Sequence, residues 1–381
     1  MRIALVVEYF DRLSGGAGQW TLAFAKYLLE HRHTVLVVTF QEGQHTLPVQ
    51  THVLPNSPYA LERARRIAKC ITELAPAVVY DAGAGWSGNV LHPHAGSIFL
   101  SHQRFIATLS KRRRLCTSVS PRGWFFRWNM VRLETKQANR ADRIVAVSHL
   151  VRDLLVQRHN LPSHRIIVIP NGVDNDRFNP AQRVELREPA RRSFGLGDAV
   201  LFLLVAQNML LKGVDNAMKA LSTLVNEGAA VRLAVVGAEP DAFWTKLATE
   251  LGVVDHVDFL GYVDDMVPVY AAADVVVHPT RWDACSLATL EGMAAGLPVI
   301  TTTMNGAAEL ISHGRNGLLV GNPEDTGALA AQMRLLLDPQ ERSRIGGAAR
   351  ETAIRYDARD NYRAVETVLL EVAAATARHG N

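Results

Sequence analysis

The chain has 381 residues, 48% of them hydrophobic and 20% charged, an ordinary globular composition long enough for two domains with a core each. That balance excludes a disordered chain, a collagen-like repeat and a small disulfide scaffold, and no apolar run approaches the roughly 20 residues that a spanning helix needs. The net charge of +4 hides an asymmetry: residues 1–180 hold 23 Lys and Arg against 12 Asp and Glu, whereas the remainder holds 18 against 25. A basic front half suggests an anionic partner on that side; uneven drift between two domains is the plainer alternative. Met1–Val7 is apolar apart from Arg2, but Glu8 ends the run too early for a signal-peptide core. Cys70, Cys116 and Cys285 are odd in number and widely spaced, which fits reduced thiols in a cytosolic protein.

In chain order, continuous apolar strands are expected at Ile3–Val7, Thr34–Thr39, Ala77–Tyr80, Arg143–Val147 and Ile166–Ile169. Amphipathic stretches at Trp20–Glu30, Tyr59–Leu74 and His149–Arg158 fall between them. The back half repeats the plan, with strands at Val200–Val205, Arg232–Val236, Val257–Leu260, Asp274–His278 and Val299–Thr302. Its expected helices lie near Val214–Asn226, Asp241–Leu251 and Leu287–Ala295. Strands apolar on both faces and joined by helical crossovers imply parallel sheets covered by helices. The pattern therefore reads as an α/β chain of two Rossmann-like parallel-sheet domains facing a central cleft. The boundaries are 1–172 and 173–358, with a C-terminal helix over 359–381 packing back towards the first domain. The turn-rich stretch Pro170–Pro180 is the expected linker. Ligands in doubly wound folds bind beyond the carboxyl ends of the strands, so the chemistry is sought in the loops there.

The strongest constellation follows the strand Asp274–His278 and reads HPTRWDACSLATLEGMAAGLPVI. Asp283 belongs to the strand-to-helix loop, and Glu291, seven intervening residues later, is placed about two turns inside the helix. Free amides of Cys285, Ser286 and Leu287 at the helix start would form an anion site. The alternative is that Asp283 caps a helix and Glu291 is solvated.

This segment resembles the E-x7-E signature of retaining, nucleotide-sugar-dependent glycosyltransferases of family 4, which have the GT-B fold. Other matching motifs are SGGAG at Ser14–Gly18, ADRIVAVS at Ala141–Ser148, IPNGVDNDRF at Ile169–Phe178 and NGLLV at Asn316–Val320, with LLKGVDNAMKAL, VVGAE and FLGYVDD between them. Their order and spacing match through both halves, and HPTRWDACSLATLEGMAAGLPVITT with KGVD is similar to bacterial lipopolysaccharide core glucosyltransferases. By that resemblance Asp283 contacts donor-sugar hydroxyls, Glu291 holds the ribose, and Lys212 neutralises the donor pyrophosphate with the amides of Cys285, Ser286 and Leu287. Gly16 approaches the same phosphate, Tyr262 and Val263 after Gly261 meet the base, and His94 is the candidate for a histidine that contacts the donor sugar, an acceptor-side or structural role being the alternative. Two positions depart from the family pattern: Asp283 replaces the usual Glu, and Gln207 stands where Arg is usual, leaving the pyrophosphate more dependent on Lys212.

Gly83, Gly85 and Gly88 spell G-x-G-x-x-G after a strand, but Pro93 and Gly96 interrupt any following helix, so the stretch reads as a flexible loop bordering the cleft and not as a dinucleotide site. Asp174 and Asp176 form a D-x-D that reads as turn chemistry, and the pair His92 and His94 lacks further spaced ligands for a metal. Cys285 and Ser286 have no ordered general base nearby and are not read as nucleophiles. The segment Phe105–Arg132 interleaves Lys111, Arg112, Arg113, Arg114, Arg122, Arg127 and Arg132 with Phe105, Trp124, Phe125, Phe126 and Trp128. It fits an anchor on an anionic membrane surface; buried or acceptor-groove structure or, less well, RNA binding would use the same residues.

The resemblance implies a metal-independent hexosyltransferase without a cofactor, cytoplasmic and peripheral on the inner membrane face. It would move a hexose, UDP-glucose or a similar UDP-hexose supplying it, to a glycan or glycolipid such as a lipopolysaccharide core. An isomerase or phosphorylase on the same fold, or a non-catalytic sugar-nucleotide-binding protein, are the alternatives.

Overall fold

Runs of β-branched and aliphatic residues that tolerate burial on both faces form the centre of each sheet. In the computed structural model, which describes all residues except 12–14, 110–113, 115, 118–119, 196 and 380–381, the chain divides into two units. One is Met1–Pro170 with Arg359–Asn381, and the other is Asn171–Ala358. The sequence is α/β in both, with every sheet parallel.

The first unit carries a seven-stranded sheet in the order Gln50–Val53, Thr34–Thr39, Arg2–Val6, Val78–Asp81, Val90–Leu91, Arg143–Ala146 and Ile166–Val168, and a separate two-stranded sheet of Tyr9–Phe10 and Gln41–Glu42. Ile3, Leu5, Val37, Val78 and Tyr80 share a core with Trp20, Phe24 and Leu28 of the helix Gly16–Glu30. Val365, Val368, Leu369 and Val372 of the last helix, Ala358–His379, enter the same core. Polar contacts hold that helix as well: Glu366 accepts from the Tyr27 hydroxyl at 2.8 Å and lies 2.7 Å from His33 Nε2.

The second unit orders its strands Val257–Gly261, Val231–Gly237, Val200–Ala206, Val275–His278, Val299–Thr302 and Leu318–Val320. The chain enters at Val200–Ala206, winds outward to one side through the next two strands, then returns to build the other side from Val275–His278. The crevice between Val200–Ala206 and Val275–His278 is thus the topological switch point, where doubly wound folds bind ligands. The stretch expected as a linker is integrated into this unit: Val173 pairs with Asp357, and Arg350 donates to the Asn175 side chain and the Phe178 carbonyl.

Five further strands are present that the apolar pattern does not show: Tyr9–Phe10, Gln41–Glu42, Gln50–Val53, Val90–Leu91 and Leu318–Val320. They are two to four residues long or lie at sheet edges, too short to show a period. Helices at Ile98–Thr108, Pro121–Arg140, Pro180–Ser193, Val267–Ala272, Thr326–Leu335 and Pro339–Ala353 also went unassigned. Among the described residues no helix is long and apolar enough to cross a membrane.

Candidate donor site at the switch point

Lys212 and Asp283 come from the two loops that flank the switch point of the second unit. Lys212 Nζ lies 2.5 Å from Asp283 Oδ2. A glycine makes the approach possible. Gly213 has φ +76°, and a Cβ there would sit 2.2 Å from the Pro279 carbonyl oxygen, so the Lys212 loop can rest on the Asp283 loop only without a side chain at that position. Gly213 then opens the helix Val214–Asn226. Gln207 stands exposed just beyond its strand.

His278, which the sequence reading passed over, ends its strand and sets its Nε2 3.0 Å from the same Asp283 oxygen. Burial alone would raise the Asp283 pKa, but the Lys212 charge and the His278 hydrogen bond outweigh it and hold the carboxyl below the usual range. Asp283 is therefore an anion in an enclosed, charge-matched setting. Its backbone is fixed too: its N–H donates to Met304 O at 3.0 Å and its carbonyl accepts from Gly306 N at 2.9 Å.

Ser286, not Asp283, caps the following helix Leu287–Ala294, its hydroxyl accepting from Thr289 N at 3.2 Å. The expectation of three free amides at the helix start is corrected in one place. Ser286 N donates to the Asn305 side-chain oxygen at 3.1 Å, which leaves the amides of Cys285 and Leu287 to meet an anion. Asn305 had no motif signal, although its carboxamide also bonds Thr289 of that helix and Thr301 of the strand Val299–Thr302 and so ties its own loop to both. The Cys285 thiol is pushed up to about 12 by burial and is not poised as a nucleophile.

Glu291 lies about one turn into its helix, closer to the start than the two turns expected. It is neither a cap nor simply solvated: its carboxylate accepts from the Tyr270 hydroxyl at 2.7 Å, and burial raises its pKa against that hydrogen bond and the Arg177 charge. Gly292 lets the helix lie flat on the sheet, since a Cβ there would stand 2.6 Å from Val276 Cγ2. Tyr262, exposed, and Val263 follow the edge strand Val257–Gly261, which Val231–Gly237 separates from the switch-point strands, and the Tyr262 hydroxyl reaches Asp264 at 3.5 Å.

Two further candidates belong to the first unit. Gly16 is the exposed first residue of the helix Gly16–Glu30, while Ser14 of the same motif lies outside the described residues. His94 Nε2 lies 2.8 Å from the Tyr80 hydroxyl, which also meets His92 Nδ1 at 3.0 Å, and the ring packs 4.6 Å from Trp20. Burial lowers the His94 pKa to about 3, so the ring is neutral near pH 7. The glycine loop after Asp81 is clamped, not flexible: the buried Asp81 carboxylate accepts the amides of Gly83, Ala84 and Gly85. No helix follows until Ile98, so the loop lacks a dinucleotide fingerprint. Asp174 accepts the amides of Asp176 and Arg177, a turn within the chain.

Residues 14–177 match the family model for glycosyltransferase family 4, and residues 199–339 match that for glycosyl transferases group 1. A GDP-mannose-dependent alpha-(1-6)-phosphatidylinositol monomannoside mannosyltransferase of Mycobacterium tuberculosis is 30% identical over 266 residues, spanning 65% of this chain and 68% of that protein. The chain belongs to glycosyltransferase family 4. Among solved structures, this family 4 chain is similar to WaaG, a glycosyltransferase involved in lipopolysaccharide biosynthesis, with a TM-score of 0.80 at 21% identity over 96% of this chain and 99% of that one. It also resembles Anabaena HepE in complex with UDP-glucose, with a TM-score of 0.73 at 21% identity over 97% and 100% of the two chains. At that identity the likeness shows the fold, which is GT-B.

Proposed function

We propose that this chain transfers a hexose from a nucleoside diphosphate sugar to a glycolipid acceptor, with retention at the anomeric carbon and no bound metal or cofactor. The observation that carries the reading is the convergence of Lys212, Asp283 and the amides of Cys285 and Leu287 at the switch point, with Glu291 one turn further along. A cation and helix-start amides suit a diphosphate, the anionic Asp283 suits sugar hydroxyls, and Glu291 suits a ribose. Tyr262, Val263, Gln207 and Ser286 complete the proposed donor shell of this unit, Ser286 by capping the helix.

In the transfer, the acceptor hydroxyl oxygen bonds the anomeric carbon as the bond from that carbon to the diphosphate oxygen breaks. The departing diphosphate oxygen takes the acceptor's proton on the same face. Lys212 and the helix-start amides stabilise the charge that develops there, usually the largest single contribution in such sites.

The UDP-hexose reading is supported by the fold-level likeness to HepE with UDP-glucose. The name of the M. tuberculosis relative favours a second donor, GDP-mannose. A panel of UDP- and GDP-hexoses read by thermal shift, followed by mass spectrometry with lipopolysaccharide-core and phosphatidylinositol glycolipid acceptors, separates the two. Stabilisation by no member would overturn the reading. A sugar nucleotide altered without any acceptor would instead indicate an isomerase or phosphorylase.

A lipid-tailed acceptor would be met at a membrane surface, and the first unit has a face suited to that. Ser120 caps the helix Pro121–Arg140, whose first turns expose Trp124, Phe125, Phe126 and Trp128, with Trp124 61% exposed. Arg132 stacks over the Trp128 ring at 4.2 Å, and Arg114 is exposed; Lys111, Arg112 and Arg113 lie outside the described residues. Rings beside cations suit an anionic interface, each basic residue near such a surface contributing about 1 kcal/mol. Co-sedimentation with vesicles is expected to need anionic lipid, to fall with salt, and to drop when Lys111–Arg114 are neutralised. Indifference of the unmodified chain to anionic vesicles at low salt would favour a soluble acceptor.

A further inference from the structure

We propose that His278 is a positioning residue that holds Asp283 in its sugar-binding orientation once the donor diphosphate has drawn Lys212 away. The proposal rests on the reading of Asp283 as the carboxylate that meets the donor sugar.

Both side-chain donors to Asp283 end on one oxygen, Oδ2: Lys212 Nζ at 2.5 Å and His278 Nε2 at 3.0 Å. The backbone of Asp283 is fixed on both sides, so its freedom lies in the side chain, whose terminal torsion has a broad minimum. A lysine on a flexible four-carbon stem follows the strongest nearby anion. When it turns to a diphosphate, the histidine is the donor left to stop the carboxylate from rotating.

His278 is built to stay. It closes the strand Val275–His278 in register with Thr301, and its carbonyl accepts from the Thr301 hydroxyl at 2.9 Å and from Thr280 N at 2.8 Å. The side chain is 2% exposed, and its Nδ1 is buried without a hydrogen-bond partner. A proton on Nδ1 would be a buried donor with no acceptor, so the arrangement selects the neutral ring with its proton on Nε2, the tautomer that donates to Asp283. Burial lowers the ring's pKa; the hydrogen bond to Asp283 opposes that and the Lys212 charge reinforces it. The histidine thus acts as a fixed neutral donor, unlike the lysine, whose charge the diphosphate can claim.

The test compares His278→Phe, which keeps the ring's bulk without the donor, with His278→Gln, which restores an N–H. Calorimetry with UDP and UDP-glucose, and with GDP and GDP-mannose, is paired with kcat and KM for the accepted donor. His278→Phe is expected to leave the bare nucleotide within about twofold and to weaken the sugar nucleotide about tenfold or more, as loss of a hydrogen bond to a charged group does. His278→Gln should recover most of that loss. Equal losses on both ligands, or none on either, overturn the proposal. Asp283→Asn serves as the control: if it too leaves the preference for the sugar nucleotide unchanged, the donor reading of Asp283 fails, whereas an effect there with none from His278→Phe sinks the His278 inference alone. Should His278→Phe not fold, nitrogen NMR of the unmodified chain decides, a charged or Nδ1-protonated ring from about pH 6 to 8 contradicting the proposal.

Discussion

Lys212→Ala is expected to lower turnover by about 10²-fold or more, the cost of removing one strong donor to a developing oxyanion. The family's usual second cation is missing, since Gln207 stands in its place, so no neighbouring guanidinium at that position can substitute. The change has a second consequence. Lys212 pairs with Asp283, and its loss leaves that enclosed carboxylate with His278 as its remaining side-chain donor. Removing one partner of a shielded ion pair destabilises more than the pair itself contributes, so a lower melting temperature should accompany the lower turnover. The double variant Lys212→Ala with Asp283→Asn separates the effects: it should regain stability without regaining turnover. Activity of Lys212→Ala within threefold of the unmodified enzyme would place the diphosphate elsewhere.

The second large effect distinguishes the two carboxylates. Glu291→Gln should weaken binding of the bare nucleoside diphosphate, because hydrogen bonds from a ribose to a charged acceptor contribute roughly 1.5–3 kcal/mol. Tyr270 already donates to Glu291 at 2.7 Å, so the amide can keep that contact through its oxygen while losing the charge. Asp283→Asn should instead penalise the intact sugar nucleotide and spare the nucleotide. Calorimetry of each variant with each ligand gives a two-by-two comparison, and matching losses across it would refute the division of roles.

Much of this was legible before any coordinates. Strands such as Ile3–Val7 and Val200–Val205 are continuous apolar runs, and burial on both faces leaves them little else to be. Lys212 and Asp283 stood out because each follows such a strand within a recognisable motif. Their ion pair did not, because 71 residues separate them and the distance closes only where Gly213 meets Pro279. His278 was hidden by its strand: a histidine ending an apolar run reads as core, and its five-residue offset from Asp283 matches neither a helical nor a strand period. Asn305 lacked a motif, and its bond to Ser286 N overturned the expectation of three free amides. In the first unit, Ser120 and Pro121 were a readable cap and first-turn signal for Pro121–Arg140. The exposed rings of that helix obscured its apolar period, so the segment registered as a surface before it registered as a helix.

The central claim is that the donor diphosphate lies between Lys212 and the start of the helix Leu287–Ala294. A crystal structure of the chain soaked with UDP-glucose or GDP-mannose, whichever the panel selects, tests it most directly. The account predicts diphosphate oxygens within hydrogen-bond distance of Lys212 Nζ and of the Cys285 or Leu287 amide, the ribose on Glu291, and Asp283 still held by His278. A diphosphate bound away from Lys212, with the Lys212–Asp283 pair intact, would contradict it.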